Sequence, residues 1–395
     1  MKIGLGLYRH MLTGEYYEFA RQAGCTHVII HLVDYFRKGS SNPRNNQPIG
    51  EKYAPWGIAG DAGSLWTVAE LRALRAEIES AGLCLAGIEN LDPGHWHDIL
   101  LDGPRRNEQI ENVKTIVRRM GEVGVPVLGY NFSIAGVCGR VAGPFGRGRA
   151  VTVGMDGPAD DVPVPNGTVW NMIYDDGAAG VLPSISHDEL WRRFTGFLEE
   201  IVPIAEQAGV RLALHPDDPP MPTMRRQPRL VYQPIMYQGA LDAMPSHSNA
   251  LELCVGTLAE MTEGDVYDAV DQYSRQGKVA YVHLRNVKGK VPIYRETFID
   301  EGDVDMVRIL SILHRNDFDG VIIPDHAPQM SCSAPWHTGM AHTLGYMTGV
   351  LAGLREQPHR HAGNIRFKER AQNAELRKHS GQGDPCCRRL PECAG

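Results

Sequence analysis

Short apolar runs alternate with longer amphipathic segments along most of this 395-residue chain. Runs of this length are typical of buried strands in a parallel sheet, and the segments between them are typical of the helices that connect such strands. Eight strand–helix units can be counted, and eight is the number that closes a (β/α)8 TIM barrel, an α/β fold. The strands are predicted at Lys2–Leu7, His27–Leu32, Cys84–Asn90, Val125–Phe132, Val210–His215, Ala250–Val255, Val279–Arg285 and Gly320–Pro324.

The segments between these strands predict helices with one apolar face. In Arg106–Val123, the residues Ile110, Val113, Val117 and Met120 recur near helical spacing, which is the pattern of a helix packed on a sheet. An open doubly wound sheet is the alternative, but no glycine-rich nucleotide turn follows the first strand. The other helices are predicted at Glu15–Ala23, Val68–Ala81, His187–Ala208, Val266–Gln276, Val304–His314 and Thr338–Leu354.

Three segments interrupt the alternation. Ser133–Pro183, after the fourth strand, is rich in Gly, Pro and Asp, and a long insertion without secondary structure in a compact domain is usually a functional lid or a disordered excursion. Its aromatic run Trp170–Tyr174 favours a lid over a site. A second long loop is predicted at Met221–Ser248. The polar C-terminal end predicts a mobile tail at 356–395 after a barrel domain at 1–355.

The composition disfavours several classes of partner. A net charge of −7 creates no field that would attract nucleic acid or an anionic membrane, and no apolar run approaches the roughly 20 residues that span a bilayer. The start Met1–Leu5 is predicted to be a strand and not a signal peptide. The eight cysteines are scattered, and those of the tail have no partner pair at zinc spacing. Reduced thiols in a cytoplasmic protein are therefore expected.

Four later strands end on residues of the kind that bind metals, namely His215, Cys254, His283 and Asp325. The first of these strands stops abruptly because three prolines follow within residues 216–220, and proline cannot donate to a strand ladder. The carboxyl ends of barrel strands meet on one face, where active sites lie. Each residue alone is more often part of a core, but two imidazoles, a thiol and a carboxylate on successive strands predict a divalent-metal site.

The chain contains several further motifs, namely His-Pro-Asp-Asp-Pro-Pro at 215–220, the cysteine near the end of the next strand, His-Leu-Arg-Asn at 283–286, Gly-Asp-Val-Asp-Met at 302–306, Pro-Asp-His at 324–326, Tyr-Asn-Phe at 130–132 and Asn-Met-Ile-Tyr at 171–174. Together these motifs resemble the mannonate dehydratase family over roughly residues 1–355. The resemblance implies a xylose isomerase-like barrel that binds manganese and converts D-mannonate to 2-keto-3-deoxy-D-gluconate in hexuronate breakdown. It also implies His215, Cys254, His283 and Asp325 as metal ligands and His326 as an acid/base.

The chemistry of such a dehydration suggests roles for further residues. A proton next to a carboxylate is weakly acidic, so its removal needs a cation beside the developing charge and a positioned acid/base. His326 directly follows Asp325 and can face the substrate while its neighbour binds the metal. The planar fork of Arg285 suits a sugar-acid carboxylate, although a structural ion pair is equally compatible. Hydrogen bonds to substrate hydroxyls are expected from Asn131, Asn286 and Asp217.

The sequence departs from the family pattern at a second proton-transfer group. The family has a tyrosine some way beyond the Asp-His pair, and Met340 stands near that place here. Tyr346 lies inside a predicted helix, where packing is the better interpretation. His337 or His342 could take over the role.

Other functions are compatible with the same barrel. A sugar isomerase, an epimerase or a 3-keto-sugar lyase would use the same metal, and a non-catalytic carbohydrate-binding barrel would bind without turnover. Manganese is the expected metal, and iron, cobalt or zinc also suit a mixed set of nitrogen, sulfur and oxygen ligands. We expect a small-molecule sugar acid as ligand, a homo-oligomer as the assembly, and no nucleic acid or membrane partner.

Overall fold

Eight parallel strands close into a barrel in this computed structural model, which describes residues 1–37 and 52–356. Each strand is hydrogen-bonded to the next along the chain, and the eighth pairs with the first. The prediction of a (β/α)8 barrel is therefore confirmed. The strands are β1 (Lys2–Leu7), β2 (His27–Ile30), β3 (Cys84–Glu89), β4 (Val127–Tyr130), β5 (Arg211–Leu214), β6 (Asn249–Cys254), β7 (Val279–Leu284) and β8 (Val321–Pro324).

The described residues contain ten α-helices, three of which were not predicted. One of the three, Pro93–Leu101, is buried on nearly all sides, so its sequence lacks the alternation of apolar and polar faces on which the prediction relied. The helices are α1 (Gly14–Gln22), α2 (Val68–Ser80), α3 (Pro93–Leu101), α4 (Arg106–Val123), α5 (His187–Ala208), α6 (Met236–Ala243), α7 (Val255–Glu260), α8 (Val266–Arg275), α9 (Met306–Arg315) and α10 (Pro335–Glu356).

Local signals set several helix ends. At the start of α2, the Thr67 hydroxyl accepts from the backbone N–H of Glu70, and the Glu70 carboxylate accepts from the backbone N–H of Thr67. This reciprocal pair satisfies two backbone donors that the first turn leaves free. Helix α5 begins after Ser186 and ends before Gly209, whose φ of 67° lies in the left-handed region that glycine adopts without a steric penalty. Both α4 and α5 begin and end at the predicted residues.

The middle of the barrel is a packed core that runs across the strands. Small alanines lie against larger side chains there, and every member is at most 9% exposed. Barrels of eight strands are filled in this way rather than left as pores, so the functional groups are confined to the strand ends and loops. The core residues are Ile29, Ala86, Val127, Ala213, Ala250, Ala280, Tyr281, Val321 and Ile323.

The insertion after β4 is not structureless, in contrast to the prediction. Its segments Arg140–Gly143 and Thr152–Asp156 pair with each other and with the hairpin Asn286–Lys290 and Ile293–Thr297 that follows β7. We call this four-stranded antiparallel arrangement the insertion sheet. Local sequence patterns do not reveal it, because its two halves are far apart in the chain and the pairing is decided by tertiary contacts.

Smaller elements lie in other segments between the barrel strands. Gly57–Ile58, Thr168–Val169 and Met172–Ile173 form a three-stranded sheet. The second predicted loop contains α6 and the hairpin Thr223–Met224 and Gln227–Pro228. Of the predicted tail, only Glu356 at the end of α10 falls within the described residues. No helix in the described ranges is long and apolar enough to cross a membrane.

Candidate active site

Four strand ends bring metal-binding side chains together at one end of the barrel. His215 follows β5, Cys254 ends β6, His283 lies in β7 and Asp325 follows β8. Donor atoms of the first three lie within 4.8 Å of one another. Asp325 Oδ1 is 3.6 Å from His283 Nδ1, and its Oδ2 is 3.7 Å from Cys254 Sγ. The four residues identified in the sequence therefore form one group, which we call the ligand cluster.

The two imidazoles are oriented as metal ligands usually are. Nε2 of His283 lies 3.2 Å from Glu89 Oε2 and 3.0 Å from Glu252 Oε1, and its Nδ1 has no hydrogen-bond partner among the described residues. Nδ1 of His215 lies 2.6 Å from the Pro216 carbonyl oxygen, which leaves Nε2 free for the cluster. Ligand histidines commonly donate one ring N–H to a carboxylate or carbonyl and bind the ion through the other nitrogen. The unpartnered nitrogen and the mixed donors fit a divalent ion.

The charges around the ligand cluster favour a thiolate at Cys254. Burial raises the pKa of this thiol, but the Arg285 guanidinium and the His215 imidazole outweigh burial and lower the pKa to about 6. Burial lowers the pKa of His215, whereas Glu252 and Cys254 raise it, to about 9. Cysteine binds metals as the thiolate, so this environment suits Cys254 as a ligand.

Two buried glutamates, Glu89 and Glu252, adjoin the ligand cluster and were not foreseen. Burial and the Glu89 charge raise the pKa of Glu252 to about 8. Burial also raises the pKa of Glu89, but His31 and His283 outweigh it and lower that pKa to about 2. The opposite shifts favour a proton on Glu252 and a negative charge on Glu89, which lies 3.2 Å from Nε2 of His283.

The sequence did contain a signal for this pair. Glu252 is a charged residue inside an otherwise apolar strand, and it lies two positions before Cys254, so both side chains point to the same side of β6. A glycine opposite makes room for it. A Cβ atom at Gly129 would lie 2.8 Å from Glu252 Oε2 and 2.2 Å from Tyr281 Oη, so β4 cannot carry a side chain at that point without displacing the acid.

A narrow cavity adjoins the ligand cluster and encloses about 60 Å³. Three of the ligand-type residues, His215, His283 and Asp325, line it together with His326. Its wall combines aromatic side chains with many convergent polar and charged groups, and polar groups of this kind fix the orientation of a small-molecule ligand. The wall includes the aromatic residues Tyr8, Tyr35, Trp56 and Trp170 and the polar residues His31, Asn90, Asn131, Arg140 and Asp218.

His326 is held by a carboxylate of the insertion sheet. Its Nδ1 lies 2.9 Å from both oxygens of Glu296, and its Nε2 is 3.5 Å from Asp325 Oδ1. Burial lowers the pKa of this imidazole, but Asp325 and Glu296 outweigh it, so the net shift is upward. A side chain that moves protons is typically oriented by a third group in this way.

Four residues were expected to contact the substrate, and Asn131 is the one among them that lines the described cavity. The others are buried in contacts of their own, so their positions favour a structural role over the expected binding of a carboxylate or hydroxyls. Arg285, which is 1% exposed, donates hydrogen bonds to Asp218, Thr257, Glu260 and Glu296. The Asn286 amide donates hydrogen bonds to the carbonyls of Ile299 and Val304. The Asp217 carboxylate accepts hydrogen bonds from Arg229 and from the backbone N–H groups of Leu230 and Val231.

The positions considered for a second proton-transfer group all lie on α10, away from the lining of this cavity. Tyr8 and His31 line it instead, with their rings stacked at a centroid distance of 4.6 Å. Nδ1 of His31 is 3.3 Å from Tyr35 Oη, and burial lowers the pKa of its imidazole. The positions on α10 are Met340, Tyr346, His337 and His342.

Replacing Arg285 by methionine is expected to reduce the free energy of unfolding by about 3–5 kcal/mol, because the buried carboxylates of Asp218 and Glu260 lose the cation that donates hydrogen bonds to them. Urea unfolding measures the effect. The control is Arg295→Met, because Arg295 is partly exposed and bonds to Asp156 at the protein surface, where an ion pair contributes at most about 1 kcal/mol. Equal losses in the two variants would contradict the structural role of Arg285.

The fold and the ligand cluster define this protein as a (β/α)8 barrel with a candidate divalent-metal centre at the carboxyl ends of its strands. A xylose isomerase domain protein from Planctomyces limnophilus shares the fold with a TM-score of 0.51 and 14% identity, over 90% of this chain and 97% of that one. A mannonate dehydratase from Streptococcus suis serotype 2 is more similar, with a TM-score of 0.71 and 23% identity, over 90% of this chain and 93% of that one.

Sequence comparison identifies the family. The family model for D-mannonate dehydratase (UxuA) matches residues 55–138 and 180–361. The mannonate dehydratase of Lactococcus lactis subsp. cremoris is 30% identical over 322 residues, which span 75% of this chain and 89% of the relative. That of Streptococcus pneumoniae is 31% identical over 280 residues, which span 67% of this chain and 75% of the relative. The chain belongs to the mannonate dehydratase family.

Proposed function

We propose that this protein is a metal-dependent lyase that removes water from a sugar acid, and that it converts D-mannonate to 2-keto-3-deoxy-D-gluconate. The observation that carries the proposal is the ligand cluster with His326 beside it, in a chain that belongs to the mannonate dehydratase family. The relatives that match over most of this chain are named as mannonate dehydratases, which supports both the reaction and the substrate.

The metal in this proposal is held by His215, Cys254, His283 and Asp325. A divalent ion there supplies positive charge beside the substrate carboxylate and so makes the proton on the neighbouring carbon more acidic. We propose manganese, and Fe²⁺ or Co²⁺ also suit two imidazoles, a thiolate and a carboxylate. The unpartnered Nδ1 of His283 and the lowered pKa of the Cys254 thiol support this assignment.

Dehydration requires two proton transfers, and we assign one of them to His326. A proton leaves the carbon next to the carboxylate, and the hydroxyl on the following carbon takes up a proton and departs as water. This elimination releases an enol, which becomes the 2-keto-3-deoxy acid by losing its hydroxyl proton and gaining a proton on the carbon that lost the hydroxyl. Glu296 holds the His326 ring in the cavity wall, where it can exchange a proton with the substrate.

We assign the other proton transfer to His31. This imidazole lines the cavity on the side of β2, whereas His326 follows β8. Burial lowers the pKa of His31, and the neutral imidazole is the form that accepts a proton. Two cavity groups whose environments push their pKa values in opposite directions are the usual arrangement for an acid and a base.

The proposed setting of the reaction follows from the composition and the proposed substrate. We propose that the protein acts in the cytoplasm, in hexuronate catabolism, as a homo-oligomer without a nucleic-acid or membrane partner. The net charge of −7 supports the last point. Light scattering coupled to size exclusion measures the assembly, and a monomer at all concentrations would contradict the oligomer.

A panel of sugar acids with added Mn²⁺ tests the proposed function. We expect a 2-keto-3-deoxy product from D-mannonate, and no product after the metal has been removed by a chelator. Interconversion of ketoses without formation of a keto acid would instead assign the protein to the sugar isomerases or epimerases. Binding of sugars without any turnover would assign it to the non-catalytic barrels.

A further inference from the structure

We propose that Arg140, which the insertion sheet brings to the cavity, binds the carboxylate of the substrate and so selects sugar acids over neutral sugars. The inference rests on the proposed function, because it names the residue that recognises the acid group of that substrate class. The sequence suggests Arg285 for this task, with a structural ion pair as an equal alternative, and Arg285 lies in buried ion pairs in the structure.

The insertion sheet places Arg140 in the wall of the cavity. Arg140 begins the edge strand Arg140–Gly143, which is hydrogen-bonded to Thr152–Asp156. The residue is 5% exposed and lines the cavity together with His215, His283, Asp325 and His326. It also lies between the ranges 55–138 and 180–361 that the family model matches. The side chain thus reaches the barrel mouth from a segment outside the barrel strands.

The guanidinium of Arg140 makes one hydrogen bond among the described residues, from Nη1 to Glu296 Oε1 at 3.3 Å. A guanidinium carries five N–H donors. Arg285 and Arg229 each make four hydrogen bonds through their two Nη atoms, although Nε lacks a partner in all three arginines. Buried polar groups are normally paired, so unused donors in a cavity wall indicate a ligand that accepts hydrogen bonds.

Arg140 shares its hydrogen-bonded carboxylate with two other cationic groups. Oε1 of Glu296 also lies 3.0 Å from Arg285 Nη1 and 2.9 Å from His326 Nδ1. Asp218 and Glu260 bind Arg285 as well, and Asp325 lies 3.5 Å from His326, whereas Glu296 is the one carboxylate hydrogen-bonded to Arg140 among the described residues. Arg140 is also the only arginine or lysine among the described residues that line this cavity. A planar carboxylate is the anion that a guanidinium fork binds most specifically.

Two matched ligands and two variants test the inference. D-Mannonate carries the carboxylate, and D-mannonamide replaces it with an uncharged amide of similar shape. We expect Arg140→Gln to raise KM for D-mannonate about 10- to 100-fold, which is the usual loss for a hydrogen bond to a charged group. The inhibition constant of D-mannonamide should stay nearly unchanged. Arg140→Lys, which keeps the charge but loses the fork, should give an intermediate KM.

The control variant is Arg295→Gln on the same sheet. The Arg295 side chain stacks on Phe145 and bonds to the Met155 carbonyl, and the residue does not line the cavity, so the control detects a general disturbance of the sheet. Its KM should equal that of the parent. Metal content and melting temperature are measured on every variant, and calorimetric titration of D-mannonate into the metal-free parent and Arg140→Gln proteins supplies a binding readout independent of turnover.

The outcomes separate this inference from the proposed function. If the parent forms no keto acid from any sugar acid, the proposed function fails. If the parent is active but both Arg140 variants keep KM within about twofold of the parent value, the inference alone fails. Equal weakening of D-mannonate and D-mannonamide would also overturn it, because Arg140 would then shape the cavity without recognising the acid. If Arg140→Gln does not fold, Arg140→Lys decides the question.

Discussion

We expect His326→Gln to lower turnover of D-mannonate by about 10²- to 10⁴-fold, which is the usual contribution of a positioned acid/base. The fold and most of the metal affinity should survive, because Asp325 and not His326 is the proposed ligand. In the parent protein, Glu296 lies 2.9 Å from the His326 imidazole. Glutamine keeps a hydrogen-bonding group near Glu296, but it cannot move a proton. Turnover, metal content and melting temperature are measured on the same preparation.

The matched control for this prediction is His342→Gln. His342 lies 3.4 Å from Asp300 and does not line the described cavity, so its replacement should leave turnover nearly unchanged. Loss of metal together with activity in His326→Gln would make His326 a ligand. A lower melting temperature with normal turnover per folded molecule would make it structural. Turnover within about threefold of the parent would remove His326 from the mechanism.

The second large effect is expected at the ligand cluster. Cys254→Ser replaces a thiolate by a neutral hydroxyl, and His215→Ala removes a donor altogether. Mutating a residue that hydrogen-bonds to a metal ligand typically lowers metal affinity about 10- to 100-fold. We expect a larger loss of affinity when a direct ligand is replaced, and the greatest loss from His215→Ala. Metal content by mass spectrometry after dialysis measures the effect, and activity should fall in parallel.

A buried cysteine outside the cluster provides the control. Cys25 is 0% exposed between α1 and β2, so Cys25→Ser carries the same burial penalty without removing a donor. It should lower stability but keep the metal stoichiometry of the parent. If Cys254→Ser and His215→Ala also keep that stoichiometry, the proposed metal site is wrong.

Much of the barrel could be predicted because the relevant signals are local. The strand and helix patterns of a parallel barrel repeat within about 10 to 20 residues, and α4 and α5 were placed at their observed bounds for that reason. Residues at successive strand ends must meet at one face. His215, Cys254, His283 and Asp325 could therefore be grouped from their positions alone.

The roles of Arg285 and Asn286 could not be predicted in the same way. Arg285 follows β7, as a residue facing the barrel mouth would, but Asp218 and Glu260 bind its guanidinium. Asp218 is 67 residues away in the chain, and no local pattern shows that these charges converge. A buried guanidinium is stable only when such partners surround it, so its environment decides between a structural and a substrate-binding role.

The sequence by itself determined the eight strand–helix units and the four ligand-type residues at the strand ends, because periodicity and strand termination are properties of contiguous segments. Only the tertiary structure decided which side chains surround the cavity. Pairing of the insertion with the hairpin after β7 brings Arg140 and Glu296 to His326, and packing across the barrel places Glu89 beside Glu252. Contacts between distant segments depend on the fold as a whole, so the groups that recognise and protonate the substrate are set by the three-dimensional structure.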